Sequence, residues 1–302
     1  MKAPAATFLL LLAACASGRY RPEGDDDDDV TVDAAPAVDA AAGTTDAASV
    51  PTDAPAPDAP PAMVAPLLLS EVALAPNSSE MIELYNPTSA PVALRNFYLS
   101  DVPTYFRLPG GSQTVEASDF IARFPSGATI PAHGVVVVAL DTTANFTTAT
   151  GTAPTYSIGS ATMELVGGSA STLTNTGEPV VLFYWDGTSD RVTDVDVMLA
   201  GMPSAANALV NKSGVTIDGP DADSSGAAYV TDAMTITGQS PAPGSALSTK
   251  RVALETAGTE AQTGAGNGVL GQDETSEQTQ TTWDSSAYTA LTPGSVPTAL
   301  VN

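Results

Sequence analysis

The chain has 302 residues and a formal net charge of −24 at pH 7, because 34 acidic side chains face only 10 basic ones. A surface this acidic repels phosphate backbones and anionic membrane surfaces, which excludes nucleic acid as a partner. The single cysteine and single histidine leave no disulfide framework and too few ligands for a zinc site.

Residues 1–15, MKAPAATFLLLLAAC, have the layout of a secretory signal. Lys2 gives a cationic start, Phe8 begins a short apolar run, and small residues precede Cys15. The run is shorter than the roughly 20 residues that a membrane-spanning helix needs. The ending Leu-Ala-Ala-Cys resembles the lipobox of bacterial lipoproteins, which implies cleavage before a diacylated Cys15. The alternative is an ordinary signal peptide with an incidental cysteine.

Residues 16–66 consist almost entirely of Ala, Pro, Asp, Thr and Gly and predict a disordered linker. The segment holds eleven acidic residues, including the run Asp25–Asp29, against two arginines. It cannot bury enough apolar surface to fold, and its prolines and like charges favour extended conformations. We therefore expect a tether that holds a folded domain off the membrane. The alternative, a calcium cluster at Asp25–Asp29, is disfavoured because an unstructured acidic run binds weakly.

From Leu67 the sequence changes to short apolar runs separated by Gly, Pro, Asn and Asp, which is typical of an all-β protein. Asp186-Gly187, between two such runs, predicts a hairpin turn. We find no pattern for an amphipathic helix of three turns after Leu67. The expected strands cover residues 67–74, 81–85, 92–99, 120–124, 135–140, 180–185, 191–198 and 250–254.

The C-terminal third of the chain is harder to assign. Residues 200–245 are rich in Gly, Ser, Asp and Pro and predict a long loop, and loops of that length inside compact domains are usually functional. Trp283 is too apolar for a free tail, so we expect this region to dock on the core. The folded domain then covers residues 67–302. In the alternative, the core ends near Met198 and the remainder is disordered.

Residues 67–101 resemble the opening of a lamin-tail domain. The matching features are Ser70-Glu71-Val72 in the first strand, Ile82–Asn86 in the second, and Tyr98–Asp101 in the third. Later pieces, including the turn at 129–134, resemble the family more weakly. The resemblance implies an immunoglobulin-like β-sandwich, here with large loop insertions. It also implies an interaction or scaffolding module and brings no catalytic residues.

Two glutamates interrupt apolar strands, where an unpaired charge is expensive to bury. We predict that Glu83, together with Asn86, ties down loop backbone at one end of the sandwich, since Asn before Pro87 is a natural turn-former. The alternative is that Glu71 and Glu83 both face water on an alternating strand.

The sequence offers few parts for catalysis. His133 lies between Ala132 and Gly134 at an expected turn, and no Gly-x-Ser-x-Gly elbow supplies a nucleophile. Calcium is the one ligand with a candidate site, because Asp218, Asp221 and Asp223 place three carboxylates within six residues. The spacing does not match an EF-hand loop.

Together these features predict a non-catalytic, monomeric protein that is lipid-anchored in the bacterial cell envelope and needs no cofactor. The lipoprotein resemblance favours the outer membrane, because Ala16 stands where some bacteria use aspartate for inner-membrane retention. The expected partners are the membrane, through the anchor, and an unknown protein or cell-surface component. The alternatives are a calcium-dependent surface adhesin and a secreted hydrolase with a carboxylate active site.

Overall fold

The computed structural model describes residues 63–170, 173–201, 209–234, 242–262, 264, 266–284 and 289–301. Within these residues the protein is an all-β sandwich, which confirms the predicted fold class. The predictions for the signal segment, for Cys15 and for almost all of the linker lie outside the described residues. None of the described helices has the length and apolar character needed to cross a membrane.

The first sheet has six strands, antiparallel except for the last pair. In spatial order they are β15 (Thr289–Ala290), β14 (Leu247–Lys250), β1 (Leu68–Ala73), β2 (Met81–Tyr85), β7 (Val135–Ala139) and β8 (Tyr156–Ser157). The strand nearest the C-terminus therefore lies at one edge, and β14 pairs directly with the first strand of the domain.

The second sheet has five antiparallel strands. In spatial order they are β11 (Thr193–Gly201), β10 (Gly177–Tyr184), β4 (Phe97–Ser100), β5 (Phe120–Arg123) and β9 (Glu164–Gly168). Two short ladders complete the strands, namely β3 (Val92–Ala93) with β6 (Thr129–Ile130) and β12 (Thr216–Ile217) with β13 (Ala227–Ala228).

The described helices are short. The longest, α1 (Thr143–Thr150), begins where the Thr142 side chain accepts a hydrogen bond from the backbone N–H of Asn145 and ends at Gly151 in a left-handed conformation. The second is α2 (Thr279–Thr282). Single 3₁₀ turns cover Asn77–Ser79, Tyr105–Arg107, Val269–Gly271, Glu274–Ser276 and Thr298–Leu300.

The main core lies between the two sheets. Leu69 and Leu84 of the first sheet pack in one cluster with Leu99 and Leu182 of the second, and all four are fully buried. Alternation along each strand places these residues on the inner faces. Burying each such side chain contributes about 1.5–3 kcal/mol, so the inter-sheet layer is the main source of stability.

The outer face of the second sheet is also covered. Tyr98 stacks on Phe183 with ring centroids 5.0 Å apart, and Tyr105 lies 5.0 Å from the same phenylalanine ring. The described part of the predicted long loop packs over this face through buried Val210 and Tyr229. The described part of the loop therefore forms a second hydrophobic cluster with the outer face of this sheet.

The C-terminal region docks on the sandwich, as predicted from Trp283. This side chain is 1% exposed and belongs to the inter-sheet core, so the alternative of a core that ends near Met198 is wrong. The predicted strand at 250–254 is also wrong, because β14 is Leu247–Lys250 and the next residue, Arg251, forms an isolated β-bridge with Trp283 while its guanidinium is buried. The predicted strand at 92–99 is split into β3 and β4.

Candidate functional site

An open cleft of about 940 Å³ lies beside the hairpin turn between β10 and β11. The turn forms one wall, Gly266–Gly271 and Asp221 line other parts of it, and the first described residues, Met63 and Val64, border it. Leu270 projects with 73% of its surface exposed. The cleft combines exposed apolar surface with carboxylates, which suits binding of another molecule.

The hairpin turn that walls the cleft is held rigidly by Asp186. Its carboxylate accepts hydrogen bonds from the backbone N–H groups of Thr188 and Ser189, each at 2.8 Å, and from the Ser189 hydroxyl at 2.6 Å. Partial burial opposes ionisation, but these hydrogen bonds outweigh it and lower the pKa of Asp186. The indole Nε1 of Trp185 donates to the Ser189 carbonyl at 2.8 Å, so the half-buried ring has a fixed orientation beside the cleft.

The predicted calcium residues are only partly brought together. Asp218 and Asp221 lie with Asp190 in a group whose carboxylate oxygens are within 4.8 Å of one another. The carboxylate of Asp223 instead accepts the backbone N–H of Ser225 at 2.6 Å and lies outside this group. Asp190, which the sequence analysis did not single out, takes its place because Gly219 donates its N–H to Asp190 at 2.8 Å.

These carboxylates sit at the rim of the cleft and are at least partly exposed. The backbone N–H of Asp223 lowers the pKa of Asp221. Desolvation and the neighbouring carboxylates of Asp223, Asp190 and Asp218 raise this pKa by more than the hydrogen bond lowers it. The net effect is a raised pKa at Asp221, which is the electrostatic signature of crowded like charges. The rim therefore favours cations and basic groups.

A buried lysine lies under the same region. Lys212 is 0% exposed, and its ammonium contacts the carboxylates of Asp194 and Asp232, the latter at 3.0 Å. Tyr105 donates its hydroxyl to Asp194 at 2.6 Å, and Asn267 donates to Asp232 at 3.3 Å. Burial lowers the pKa of Lys212, but the two carboxylates outweigh it and raise this pKa. The ion cluster fixes the 209–234 layer to β11.

A buried arginine makes the second ion cluster. The Arg251 guanidinium donates to both Asp196 oxygens at 2.8 and 2.6 Å, to Glu277 at 3.1 Å, and to Glu255. Its Nε donates to the Leu69 carbonyl at 2.8 Å. Burial raises the pKa of Asp196 to about 7 although Arg251 lowers it. This cluster joins β11, β1 and the C-terminal region.

Both interrupting glutamates are buried, so the alternative in which they face water is wrong. Glu83 accepts the Ser70 hydroxyl at 2.9 Å and the backbone N–H of Gly294 at 2.7 Å. Glu71 accepts the backbone N–H of Thr292 at 2.9 Å and its hydroxyl at 2.7 Å. The glutamates therefore tie residues 292–294 of the chain to the outer face of the first sheet.

Asn86 performs the predicted loop-fastening role. Its amide group donates to the carbonyl oxygens of Ala90 at 2.8 Å and Pro131 at 2.9 Å, and its side-chain oxygen accepts the backbone N–H of Thr88 at 3.0 Å. His133, on the loop that Asn86 fastens, is exposed and has a positive φ of 52°. Its backbone N–H donates to Thr88 at 3.3 Å.

The sequence analysis missed the two buried cations. Lys212 and Arg251 stand in polar stretches that are typical of solvated loops, and no local pattern indicates burial. The only sequence feature that points to a role for them is the small number of basic residues: seven follow residue 66 in a strongly acidic chain. Except for Glu255, four residues after Arg251, the carboxylates that pair with them are 18 to 55 residues away in sequence.

Residues 60–197 match the family model described as the Lamin Tail Domain, which confirms the resemblance inferred from residues 67–101. Lys212 and Arg251 lie beyond the matched range. Among solved structures, the crystal structure of a DUF4876 family protein from Bacteroides thetaiotaomicron VPI-5482 is similar at 12% identity and a TM-score of 0.35. The similarity covers 78% of this chain and 72% of that chain. None of the curated proteins compared with the chain matches it.

Proposed function

We propose that this chain, whose residues 60–197 match the lamin-tail domain, is a lipid-anchored protein of the bacterial cell envelope that presents a non-catalytic binding module. The observation that carries the binding role is the acidic cleft beside the Trp185–Asp186 turn. Acyl chains on Cys15 hold the protein to the membrane, and the acidic linker supplies reach. The partner is a protein or cell-surface component with a basic, partly apolar surface.

The negative charge of the cleft and the rigidity of its hairpin turn support a partner with a basic surface. Asp186, Asp190 and Asp221 line the cleft together with one base, Arg191, whose guanidinium is engaged with the Ala228 carbonyl at 3.0 Å. A surface with this charge favours encounter with positively charged groups. Because the hydrogen-bonded turn is already fixed, little conformational entropy is lost there on binding.

The non-catalytic role is supported by the position of the only histidine in the chain. His133 lies on an exposed turn between β6 and β7, and the cleft residues do not include it. An acyl-transfer site of the Ser–His or Cys–His kind needs a histidine within hydrogen-bond reach of its nucleophile.

The anchor is tested at Cys15. The full chain is expressed in a Gram-negative host and extracted into a detergent phase, and its N-terminal peptide is analysed by mass spectrometry. We expect an acylated Cys15 at the N-terminus of the mature protein, and a Cys15→Ala variant that partitions into the aqueous phase. Ser17→Ala, in the same segment, is the control and should behave as wild type. An unmodified wild-type cysteine would reject the anchor.

The binding role is tested in cells by photo-crosslinking. A photoreactive amino acid replaces Leu270 in the cleft or Leu254, which is 45% exposed and outside it. We expect a discrete adduct from position 270 only, weakened by Asp186→Ala and by high salt. Equal adducts from both positions, or turnover of polysaccharide or peptide substrates by the purified protein, would contradict the proposal.

A calcium-dependent adhesin is the second candidate function, favoured by the clustering of Asp190, Asp218 and Asp221 at the rim of the cleft. In that case the position-270 adduct disappears when calcium is chelated and returns when calcium is restored. An adduct that forms equally well with and without chelator would reject the calcium-dependent adhesin and favour a binding module that does not need calcium.

A further inference from the structure

A second group of carboxylates lies away from the cleft, at the ends of three neighbouring strands. Asp101 directly follows β4, Asp119 directly precedes β5, and Glu178 is the second residue of β10. Because these strands are adjacent in the second sheet, the three side chains meet, with one oxygen of each within 4.8 Å of the others. All three residues are buried.

The local backbone holds each carboxylate in place. Asp101 Oδ1 accepts the N–H of Phe120 at 2.7 Å, and Asp119 Oδ2 accepts the N–H of Glu116 at 3.1 Å. Glu178 accepts the backbone N–H of Thr174 and, at 3.3 Å, its hydroxyl. The three groups are therefore positioned by the fold rather than free to turn away from one another.

One oxygen of this group has no protein partner. Asp101 is 1% exposed, and its Oδ2 is buried without a hydrogen bond from any described residue. Asp101 is one of the three residues of the carboxylate group, so the orphaned oxygen is carried by a side chain of that group. A buried carboxylate oxygen left without a donor is costly, and such an atom in a native structure calls for a missing partner.

No basic side chain in the described part of the chain forms an ion pair with the group. The ion pairs among the described residues involve other carboxylates, and none reaches Asp101, Asp119 or Glu178. The contrast with Asp196, Glu255 and Glu277 is direct, because in that buried group Arg251 supplies the positive charge. Burial, the largest cause, and the other two carboxylates raise the pKa of Asp101 well above its usual value.

We propose that Asp101, Asp119 and Glu178 bind a calcium ion that joins the ends of β4, β5 and β10. Calcium prefers clustered carboxylate and carbonyl oxygens at about 2.3–2.6 Å, so oxygens that share one ion lie within about 5 Å of one another. Magnesium fits less well, because it keeps several of its waters and these side chains are buried. The ion is a structural ligand, distinct from the exposed carboxylates of the cleft.

A close backbone approach beside the site fixes the position of Asp119. Gly168 of β9 has a φ of 77°, and a Cβ on this residue would lie 1.9 Å from the Asp119 carbonyl oxygen. The N–H of Ser169 donates to that same carbonyl at 3.1 Å. Because residue 168 is a glycine, β9 can pack closely against the backbone of Asp119. This contact keeps the Asp119 carboxylate near those of Asp101 and Glu178.

The test is thermal unfolding of the full chain in detergent after removal of divalent ions. With calcium about 100-fold above its Kd, we expect the Tm of the wild type to rise by about 5–10 °C, with a smaller effect of magnesium. Asp101→Asn should lose the calcium-dependent rise. Asp221→Asn, in the exposed group at the cleft, is the matched control and should keep it.

Two outcomes would overturn the proposal: a wild-type Tm unchanged by millimolar calcium, or a calcium-dependent rise lost in Asp221→Asn but kept in Asp101→Asn. If Asp101→Asn does not fold, hydrogen exchange on the wild type decides. Calcium should slow exchange in the segments 116–120 and 174–178. If calcium slows hydrogen exchange only in residues 219–223, or nowhere, the assignment of calcium to Asp101, Asp119 and Glu178 is contradicted.

Discussion

Replacing Arg251 with methionine tests whether the buried ion cluster joins the C-terminal region to the sandwich. Methionine keeps much of the apolar stem but removes the charged guanidinium, whose central carbon lies 4.9 Å from the centroid of the Trp283 ring. Asp196 and Glu277 then remain buried without their cation, and the Leu69 carbonyl loses the N–H donor at 2.8 Å. The substitution therefore removes the positive charge of the cluster together with the hydrogen bonds that its guanidinium makes.

The magnitude follows from the burial of the partners. Removing one member of a buried ion pair costs about 3–5 kcal/mol, because the remaining charge is desolvated without compensation. For a domain of this size, each kcal/mol shifts the Tm by about 2–4 °C, so we expect a fall of about 6–20 °C. Arg95→Met is the matched control. Its pair with Glu164 is exposed (41% and 49% of the side chains), and such pairs contribute about 0–1 kcal/mol.

The pH dependence of the Arg251→Met variant gives a second readout. Arg251 lowers the pKa of Asp196, which burial nevertheless raises to about 7. Without the guanidinium this pKa rises further, and a carboxyl with a raised folded-state pKa loses stability as the pH increases through it. The deficit of the variant should therefore be larger at pH 8 than at pH 5.5.

Differential scanning calorimetry of wild type, Arg251→Met, Arg95→Met and the double variant Arg251→Met/Asp196→Asn measures these effects. The double variant should recover part of the lost stability, because it removes the uncompensated charge and keeps an acceptor for the Leu69 N–H. Equal Tm values for the two single variants would refute the reasoning. So would a double variant less stable than Arg251→Met.

Three further predictions concern other fixed points of the fold. Burial raises the pKa of Glu83 from 4.5 to about 7, so its contribution to stability is present below pH 4.5 and lost as the pH rises to about 7; Glu83→Gln should flatten the Tm profile over that range, whereas exposed Glu164→Gln should not. Asn86→Ala removes a buried amide and its hydrogen bonds to the Ala90 and Pro131 carbonyl groups, and should lower the free energy of unfolding by about 1–3 kcal/mol in urea titrations. Gly168→Ala should cost about 2 kcal/mol or more, because its Cβ would overlap the Asp119 carbonyl, and an unchanged urea midpoint would contradict that overlap.

The sequence was sufficient for the elements whose signal is local. β1, β2 and β7 follow from short apolar runs with clear ends, and the Asp186-Gly187 turn follows from its residue types. The role of Asn86 could also be predicted, since an asparagine before proline bonds nearby backbone. These features depend on interactions within a few residues, or on alternation that any strand with a buried face shows.

The sequence was insufficient where distant residues determine the conformation. The strand expected at 250–254 ends at Lys250, and the residue that follows it, Arg251, pairs with Asp196, 55 residues away in sequence. The Asp101 and Asp119 carboxylates meet only because β4 and β5 are neighbours, and Glu178 joins them across β10. Such charges look solvated in a single sequence, because nothing nearby in the chain marks them as buried.

The pairing of the chain's two ends has a consequence for biosynthesis. Leu300 packs against Leu68 and Tyr85, and Thr292 bonds to Glu71 across 221 positions of sequence. A polypeptide that emerges from the ribosome N-terminus first can pair β1 with β2 early, but it cannot pair β1 with β14 until Lys250 has been made. The first sheet of the nascent protein should therefore stay incomplete until β14 has been synthesised, and a product that terminates before β14 should be cleared by proteases.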